Sequence, residues 1–335
     1  MKSTTLITTL RNQTQAVMLD ASSSLGLGHL MRLACLRSAL GLPTRMLGTL
    51  DALLRKDGLR IRRQTPRQAT PETRITVVDR NFIEPGLMAW RLRDRRNRII
   101  WIRRALVTRA QALVQSGFLT FADLLIAPGD LGALDDDPLE GLAARQGKLH
   151  KIGVCHAYQL IAPSKVSVTA QVFLSLGAFE EPQQPIYRRI RDLLTAARIP
   201  FTWSAYSDLP LAHGFPVSTR VIPERALRVK SQCAAIASEG GYNSLYEALH
   251  LHRPMLFVAN DGNGREQQSR RIHAAKKISP LVFDASAPGD IEEWIAACRG
   301  KPVLSGNESD QNGIFRGGFR QMASIIEGFC VRAQA

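Results

Sequence analysis

Short runs of apolar and β-branched residues alternate along the first half of the chain with longer segments whose apolar positions recur every three or four residues. Runs of the first kind predict buried strands, and segments of the second kind predict amphipathic helices. The predicted strands of this half are Ala16–Leu19, Arg74–Asp79, Ile99–Ile102 and Leu124–Ala127. The predicted helices are His29–Leu40 and Gly86–Arg95. This alternation favours an α/β fold with a parallel sheet.

The same alternation starts again after an acidic, glycine-containing stretch at Asp130–Gly147. The predicted strands of the second half are Gln171–Leu176, Phe201–Ala205 and Met255–Ala259. The predicted helices are Ile186–Ala197, Gly241–Leu249, Glu266–Lys277 and Ile291–Arg299. Two Rossmann-like halves therefore join near residues 155–170, as a length of 335 residues also favours. We expect one domain over residues 1–160 and another over 161–335, with the last helix able to pack back on the first domain.

Composition points to a globular protein, because 45% of the residues are hydrophobic and no apolar run reaches the roughly 18 residues that a membrane span requires. The first residues lack the apolar core of a signal peptide, so we expect a cytoplasmic protein. The five cysteines are far apart and predict free, mostly buried thiols. The one close histidine pair, His250 and His252, points to opposite sides of a helix, so we expect no metal centre.

Positive charge is the strongest compositional signal. The chain has 44 Lys+Arg and 29 Asp+Glu, a net charge of +15, which predicts an anionic partner or surface. The excess is concentrated in eight arginines, interrupted by one acid, Asp94: Arg91, Arg93, Arg95, Arg96, Arg98, Arg103, Arg104 and Arg109. An anionic membrane surface fits this cluster. Nucleic acid is another candidate, although only Trp90 and Trp101 offer stacking surfaces there. A solvated basic face is the third explanation.

A glycine-containing segment connects the first predicted strand to the first predicted helix. Its candidate ligand-binding residues are Asp20, Gly26, Gly28, His29 and Arg32. The glycines allow a tight turn in which backbone N–H groups approach an anion, and the helix N-terminus adds partial positive charge. His29 can act as a general base, since an unperturbed histidine has a pKa of about 6.5. The pattern is neither a dinucleotide GxGxxG nor a Walker loop. An ordinary glycine-rich turn with a capping histidine is the alternative.

A second candidate segment follows the apolar run Cys233–Ala237. Its candidate residues are Ser238, Glu239, Gly240, Gly241, Asn243, Ser244 and Glu247. Gly240 and Gly241 open a helix whose first-turn N–H groups can hold a diphosphate, and Asn243 and Ser244 add side-chain donors. Glu247 can accept hydrogen bonds from both hydroxyls of a ribose. The alternative is a capped core helix with a solvated Glu247.

Two further candidate segments follow predicted strands of the second half. The polar residues of the first are Asn260, Asp261, Arg265, Glu266 and Gln267, with Gly262 and Gly264 between them. They can bond sugar hydroxyls at the strand–helix crevice where α/β sheets bind ligands. A polar surface loop before a capped helix is the alternative. The second is Gly177, in a lone S-x-G pattern that would face the same crevice.

These segments, in this order, resemble the GT-B nucleotide-sugar enzymes. The G-x-G-H-x-x-R pattern at Gly26–Arg32 is similar to the acceptor and phosphate loop of the group that contains the lipid-linked N-acetylglucosamine transferase of peptidoglycan synthesis. Ser238–Leu249, followed by Arg253-Pro254 and Arg265–Gln267, is similar to the donor site of that group. The first segment, which begins Asp20-Ala-Ser, also resembles the UDP-sugar hydrolase of pseudaminic acid synthesis.

The resemblance implies a GT-B fold, with two Rossmann-like domains facing across a cleft, and a metal-independent enzyme without a cofactor. It implies inverting transfer of a hexosyl or N-acetylhexosaminyl group from a nucleotide-sugar, with a UDP-sugar as the expected donor, to a sugar or lipid-linked acceptor. His29 would be the base, and the Gly240–Ser244 turn would stabilise the leaving diphosphate. The implied setting is bacterial cell-surface polysaccharide or glycolipid synthesis, on the inner face of the cytoplasmic membrane.

Two alternative functions stay open. The first is hydrolysis of the same donor class, in which water replaces the acceptor hydroxyl. The second is a basic nucleic-acid-binding α/β protein, whose affinity would fall steeply with salt. The nucleotide base, the sugar and the acceptor are not specified by the sequence.

Overall fold

The computed structural model describes residues 17–21, 28–42, 44–47, 74–103, 106–160, 168–177, 181–205, 214–261, 267–299 and 317–333. The chain divides into two compact units, neither of which is contiguous in sequence. The first contains Met1–Gly129, Ala133–Leu160 and Gly313–Ala335. The second contains Asp130–Gly132 and Ile161–Asn312. The short segment Asp130–Gly132 therefore belongs to the second unit, although the residues on both sides of it belong to the first.

The first unit is built on a six-stranded parallel sheet. Its strands are β1 (Val17–Ala21), β2 (Thr44–Leu47), β3 (Ile75–Asp79), β4 (Arg98–Ile102), β5 (Leu124–Pro128) and β6 (Leu149–Ile152). They lie side by side in the order β2-β1-β3-β4-β5-β6. Every residue of β3 and of β5 is buried, because central strands of a parallel sheet are covered on both faces. The four strands predicted for this half are confirmed, and β2 and β6 were not predicted.

Four helices connect or follow these strands. They are α1 (Gly28–Ala39), α2 (Pro85–Arg93), α3 (Arg109–Ser116) and α4 (Pro138–Arg145). The predictions of α1 and α2 are confirmed. Thr108 and Gln111 form a reciprocal capping box at the start of α3. Asp137 caps α4 by accepting two first-turn N–H groups. The acidic stretch Asp130–Gly147, for which the sequence pattern predicts no helix, thus contains a capped helix.

The second unit is built on a five-stranded parallel sheet in the order β11-β10-β9-β7-β8. Its strands are β7 (Thr169–Ser175), β8 (Phe201–Ser204), β9 (Cys233–Glu239), β10 (Met255–Val258) and β11 (Val282–Asp284). Its helices are α5 (Gln184–Ala196), α6 (Pro223–Gln232), α7 (Tyr242–Leu251), α8 (Gln268–Ile278) and α9 (Asp290–Cys298). All strands and helices predicted for this half are confirmed. Trp203, Trp294 and Tyr187 fill the core on one side of the sheet.

A C-terminal helix, α10 (Gly318–Arg332), belongs to the first unit and packs against α1. The N–H group of Gly41 donates to Glu327 Oε1 of this helix at 2.7 Å. Among the described residues, no helix is long and apolar enough to cross a bilayer. The five cysteines are free thiols, and three of them are buried, as the sequence predicted.

Candidate active site

Three of the candidate segments follow neighbouring strands of the second unit. β9 lies between β7 and β10. The register pairs Ser175 with Ser238 and Val258 with Glu239, so the three strands end together. The residues that follow them lie on one edge of the sheet, the carboxyl edge, where parallel α/β sheets bind ligands. The structure therefore brings Gly177, Gly240, Gly241, Asn260 and Asp261, which follow these strand ends, to the same edge.

Gly177 and Glu239 pack against each other at this edge. Gly177 has φ +57, in the left-handed region that is costly for residues with a side chain. A Cβ atom on Gly177 would also overlap the Glu239 carboxylate. The position requires glycine for both reasons, and the glycine lets Glu239 lie against the backbone of the neighbouring strand end. The lone S-x-G pattern thus has a structural cause.

The N-terminus of α7 lies at the end of β9. Gly241 is its N-cap residue and has no side chain with which to cap the first-turn N–H groups. The first backbone bond of the helix is donated by Leu245 to Gly241 O at 3.0 Å. The N–H groups of Tyr242, Asn243 and Ser244 therefore precede the helical ladder, at the positive end of the helix dipole. This is the arrangement that the glycine pair predicted for binding an anion.

The loop after β10 is held by the first residues of α8. The N–H group of Asn260 donates to Gln268 Oε1 at 3.0 Å. Asp261 accepts hydrogen bonds from the Ser269 N–H group, at 3.1 Å, and from the Ser269 hydroxyl. Asp261 thus caps the first turn of α8, as the alternative interpretation of this loop described. Its contact with a sugar stays a prediction.

Three candidate residues, Gly26, Arg265 and Glu266, lie outside the described residues. Gln267 lies directly before α8, and its Oε1 atom accepts a hydrogen bond from Arg270 at 2.8 Å. The predicted helix Glu266–Lys277 is therefore confirmed as α8, with its first residue at Gln268.

Glu247 does not have the solvated environment that the alternative interpretation expected. Its carboxylate is buried and bonds the Lys230 ammonium at 2.7 Å. The same ammonium lies 5.9 Å from the ring centre of Phe173. No sequence pattern indicates Lys230, which lies on α6, 17 residues before Glu247. The role of Glu247 as a ribose ligand stays a prediction.

A buried network within the second unit was also missed by the sequence. Arg271 of α8 bonds the Asp130 carboxylate through Nε, at 2.9 Å, and Nη2, at 2.6 Å, and its Nη1 donates to Gly240 O at 3.0 Å. Both charged side chains are 0% exposed. The Tyr246 hydroxyl donates to Asp130 at 2.9 Å and accepts from the Leu131 N–H group at 2.6 Å. Burial, followed by the Asp130 charge, raises the pKa of Tyr246 well above its usual range, so this hydroxyl remains a donor.

In the first unit, the candidate segment also joins a strand end to a helix start. Asp20 lies in β1, and Gly28 and His29 are the first two residues of α1. Arg32, in the next turn, is buried and bonds Asp79 at the end of β3 through Nε, at 2.7 Å, and Nη2, at 3.3 Å. Arg32 therefore has a buried carboxylate partner, and its contact with a substrate stays a prediction.

Most arginines of the cluster are already paired with carboxylates, so fewer of them can contact an anionic partner than the sequence suggested. Five of its members form ion pairs within the unit: Arg91 and Arg98 with Asp123, Arg96 with Asp94, Arg103 with Asp137, and Arg109 with Asp136. Arg103 is buried, so the expectation that it contributes to a basic face is wrong. Arg93 and Arg95 are exposed and form no ion pair with the described residues. Arg104 lies outside the described residues.

No protein-family model and no curated protein sequence matches the chain. Solved structures match along nearly its whole length. The spinosyn forosaminyltransferase SpnP superposes with a TM-score of 0.59 at 14% identity, covering 94% of this chain and 99% of its own. The spinosyn rhamnosyltransferase SpnG, complexed with thymidine diphosphate, gives 0.55 at 12% identity, covering 94% and 96%. The glycosyltransferase SnogD from Streptomyces nogalater gives 0.52 at 14% identity, covering 96% and 100%.

The fold is GT-B. This confirms the fold class that the sequence predicted, with two Rossmann-like units that each contain a parallel sheet. In this GT-B chain, the carboxyl edge of the second unit combines the N–H groups of α7 with carboxylate and amide groups at Glu239 and Asn260. N–H groups at a helix N-terminus complement an anion, and carboxylates and amides complement hydroxyls. A ligand that carries both phosphate and hydroxyl groups matches this chemistry.

Proposed function

We propose that the chain is a glycosyltransferase that moves a sugar from a nucleotide diphosphate sugar to an acceptor hydroxyl. The observation that carries this proposal is the convergence of three candidate segments on one carboxyl edge, beside the N-terminus of α7. The thymidine diphosphate of SpnG, which shares the fold, supports a nucleoside diphosphate as the ligand. A UDP-sugar with a hexosyl or N-acetylhexosaminyl group is the donor that we propose first.

In the proposed reaction, the acceptor oxygen bonds to the anomeric carbon while the bond from that carbon to the diphosphate oxygen breaks. Negative charge develops on the leaving diphosphate, and the first-turn N–H groups of α7 would stabilise it. We propose that these groups provide the positive potential without a metal ion. A single displacement of this kind inverts the configuration of the anomeric carbon.

His29 is the general base in this proposal. It follows β1 at the start of α1, in the segment whose pattern resembles an acceptor loop. An imidazole removes the proton of the acceptor hydroxyl as that oxygen attacks, which typically contributes about a hundredfold to ten-thousandfold in rate.

Thermal unfolding with a panel of UDP, GDP, CMP and dTDP tests the donor class. A ligand that binds only the folded state raises the melting temperature. At a ligand concentration of a hundred times its Kd, the free energy of unfolding rises by about 2.7 kcal/mol. We expect at least one nucleoside diphosphate to stabilise the chain more than CMP does. A panel without any stabilising member would overturn the proposal.

The variant His29→Ala tests the base. We expect turnover to fall by about a hundredfold to ten-thousandfold while nucleotide affinity stays unchanged, because the nucleotide is assigned to the second unit. The exposed His273 of α8 supplies the control, since His273→Ala removes an imidazole that has no part in the mechanism. Loss of nucleotide binding in His29→Ala, with intact turnover of the bound fraction, would contradict the assignment.

Hydrolysis of the same donor is the second candidate, favoured by the Asp20-Ala-Ser sequence that precedes Gly26. In that reaction His29 would assist water instead of an acceptor hydroxyl. Release of free sugar from the donor in the absence of any acceptor would identify the hydrolase, and sugar release only with an acceptor would identify the transferase.

We propose bacterial cell-surface polysaccharide or glycolipid synthesis as the setting, with a lipid-linked acceptor at the inner face of the cytoplasmic membrane. Arg93 and Arg95 support this setting, because they are exposed close to Leu92, which is 73% exposed. Basic groups beside an exposed apolar side chain suit an anionic lipid surface. The pairing of the other arginines within the unit weakens the nucleic-acid alternative, which needs a continuous basic surface.

A further inference from the structure

Helix α8 holds both loops of the candidate donor site. Its first residue, Gln268, accepts the N–H group of Asn260 in the loop after β10. One turn later, Arg271 donates to the carbonyl of Gly240 in the turn after β9. The next residue, Ile272, lies so close to Gly240 that a Cβ atom there would be 2.7 Å from Ile272 Cδ1. The spacing of the two loops is therefore set by one helix.

The direction in which Arg271 points is set by other groups. The Asp130 carboxylate accepts hydrogen bonds from Nε and Nη2 of the guanidinium. The remaining nitrogen, Nη1, therefore points at the Gly240 carbonyl. The ring of Tyr242 lies 5.4 Å from the guanidinium carbon. Tyr246, one turn along α7 and 4.7 Å from the Tyr242 ring, orients Asp130 through its hydroxyl. The Asp130 carboxylate, the Arg271 guanidinium and the Tyr246 hydroxyl thus each have defined partners.

A buried ion pair of this kind is a poor device for stability alone, because apolar side chains of similar size often stabilise a core at least as well. What an apolar replacement cannot do is aim a donor at a particular carbonyl. The Gly240 carbonyl and the Gly241 N–H group share one planar peptide, so fixing the carbonyl fixes the orientation of the turn that opens α7. The network is therefore placed to control where the first-turn N–H groups point.

We propose that Asp130 and Arg271 are positioning residues that hold the turn of Gly240 and Gly241 in its anion-binding form before the donor arrives. This inference rests on the proposed function, because it assigns the diphosphate to that turn. A site that is ordered in advance does not have to be ordered during binding, so the ordering cost does not reduce affinity. The segment Asp130–Gly132 thereby acquires a role in donor binding that its sequence does not indicate.

The double variant Asp130→Asn/Arg271→Met in the full chain tests this role. It removes both charges together, so any change reports geometry and not a new electric field at the phosphate site. We expect the Kd for the stabilising nucleoside diphosphate to rise by about tenfold or more, as loss of a preorganised contact implies. We also expect faster hydrogen exchange of the Leu245 amide without ligand, since its bond to Gly241 O closes the turn.

The matched control is Asp137→Asn/Arg103→Met. It removes a similarly buried Arg–Asp pair from the first unit, where Arg103 also bonds Glu140 and the pair holds α4 and not the turn. We expect it to lower the melting temperature without changing nucleotide affinity or exchange of the Leu245 amide. Equal effects of the two double variants on affinity would show a merely structural role and overturn the proposal.

Two further variants cover a failure to fold. Arg271→Lys keeps the charge but cannot bond Asp130 and Gly240 together, and Tyr246→Phe removes only the hydroxyl that orients Asp130. We expect both variants to raise the Kd for the nucleotide with only a small fall in melting temperature. If the wild-type chain binds no nucleotide, the proposed function fails, and exchange of the Leu245 amide still decides the positioning role. Unchanged exchange and unchanged affinity in these variants would overturn it.

Discussion

At the scale of single residues, two buried ion pairs hold side chains that the sequence indicated as candidate ligands. Arg32 bonds Asp79 and Lys230 bonds Glu247, in each case with a nitrogen–oxygen distance of 2.7 Å between buried side chains. A buried charge is costly without its partner, so the loss of one member of a pair destabilises a protein more than the loss of both. Two of the candidate ligand residues, Arg32 and Glu247, therefore also support the fold.

Glu247→Ala should consequently change both stability and binding. It leaves the Lys230 ammonium buried without a carboxylate, which we expect to cost about 3–5 kcal/mol in the free energy of unfolding. The double variant Glu247→Ala/Lys230→Met should recover most of this loss, as urea unfolding would measure. A double variant as unstable as the single one would contradict the importance of the pair.

Binding separates the second role of Glu247 from the first. If its carboxylate also holds the ribose, the double variant that restores stability should still bind nucleotide about ten- to a hundredfold more weakly, since a charge-assisted hydrogen bond is worth roughly 1.5–3 kcal/mol. Lys230→Met, which keeps the carboxylate, is the comparison. Calorimetry that finds wild-type affinity in the double variant would refute the ribose contact.

Gly177→Ala should lower the free energy of unfolding by more than backbone strain alone explains. Alanine pays about 1–2 kcal/mol for a left-handed conformation, and here its Cβ atom would also displace the Glu239 carboxylate. Gly289 of the same unit has φ +85 with open space around it, so Gly289→Ala reports the strain alone. We expect the larger loss of stability for Gly177→Ala in urea unfolding. Equal losses would mean that Glu239 moves aside without cost.

At the scale of secondary structure elements, α7 determines the chemistry of the carboxyl edge. Its N-cap is a glycine and its first turn contains no acidic residue, so its positive end is not neutralised by its own side chains. Acidic residues in the first turn of α9, in contrast, complement the dipole of that helix. The positive end of the dipole is thus complemented by acidic side chains in α9 but not in α7, as expected if α7 binds an external anion.

Asn243→Asp would place a carboxylate in the first turn of α7 and should have effects of opposite sign. A negative charge there stabilises a helix by about 0.3–1 kcal/mol, so the melting temperature should rise slightly. The same charge repels a diphosphate, so nucleotide affinity should fall. Asn243→Ala is the control for loss of the amide. An affinity loss no greater than that of Asn243→Ala would show that no anion binds at this turn.

The local sequence pattern was sufficient to predict the strands that are buried along their whole length. β3 and β5 are buried at every position and have apolar sequences to match. β6 escaped prediction because it is an edge strand in which only Ile152 is buried, and β2 is the four-residue strand at the other edge. Edge strands lack the continuous apolar run by which a buried strand is recognised.

The candidate site divides in the same way. Glycine turns at strand ends are local features, so Gly177 and Gly240 could be found from their neighbours in sequence. Arg271 and Asp130 are 141 residues apart, and no pattern links them before the chain is folded. The sequence therefore indicated the groups that we propose to touch a ligand, and it missed the buried groups that hold the turn of Gly240 in place.

At the scale of the whole molecule, net charge and available charge differ. The chain has a net charge of +15, yet the arginines that dominate its sequence pattern are largely neutralised by nearby carboxylates. Paired surface charges attract an anionic surface weakly, and salt screens what attraction remains. The exposed Arg93 and Arg95 are the part of the described cluster on which a membrane contact would depend.

Co-sedimentation with anionic vesicles tests that contact. Arg93→Gln/Arg95→Gln should reduce binding at low salt, because each basic group near an anionic surface contributes about 1 kcal/mol. Arg91→Gln/Arg98→Gln makes the same change in charge at residues that are paired with Asp123, and it should reduce binding less. Wild-type protein that ignores anionic vesicles at low salt would end the membrane proposal.

The assignment of Asp130–Gly132 to the second unit and of Gly313–Ala335 to the first has a consequence for recombination. A gene fusion that joins this chain to another protein of the GT-B fold at residues 160 and 161 would not exchange intact units. Its second half would keep Arg271 of one parent and depend on the other parent for the carboxylate that neutralises it. A chimera that exchanges intact units must therefore transplant the three-residue segment together with residues 161–312, and leave the C-terminal helix with its original first unit.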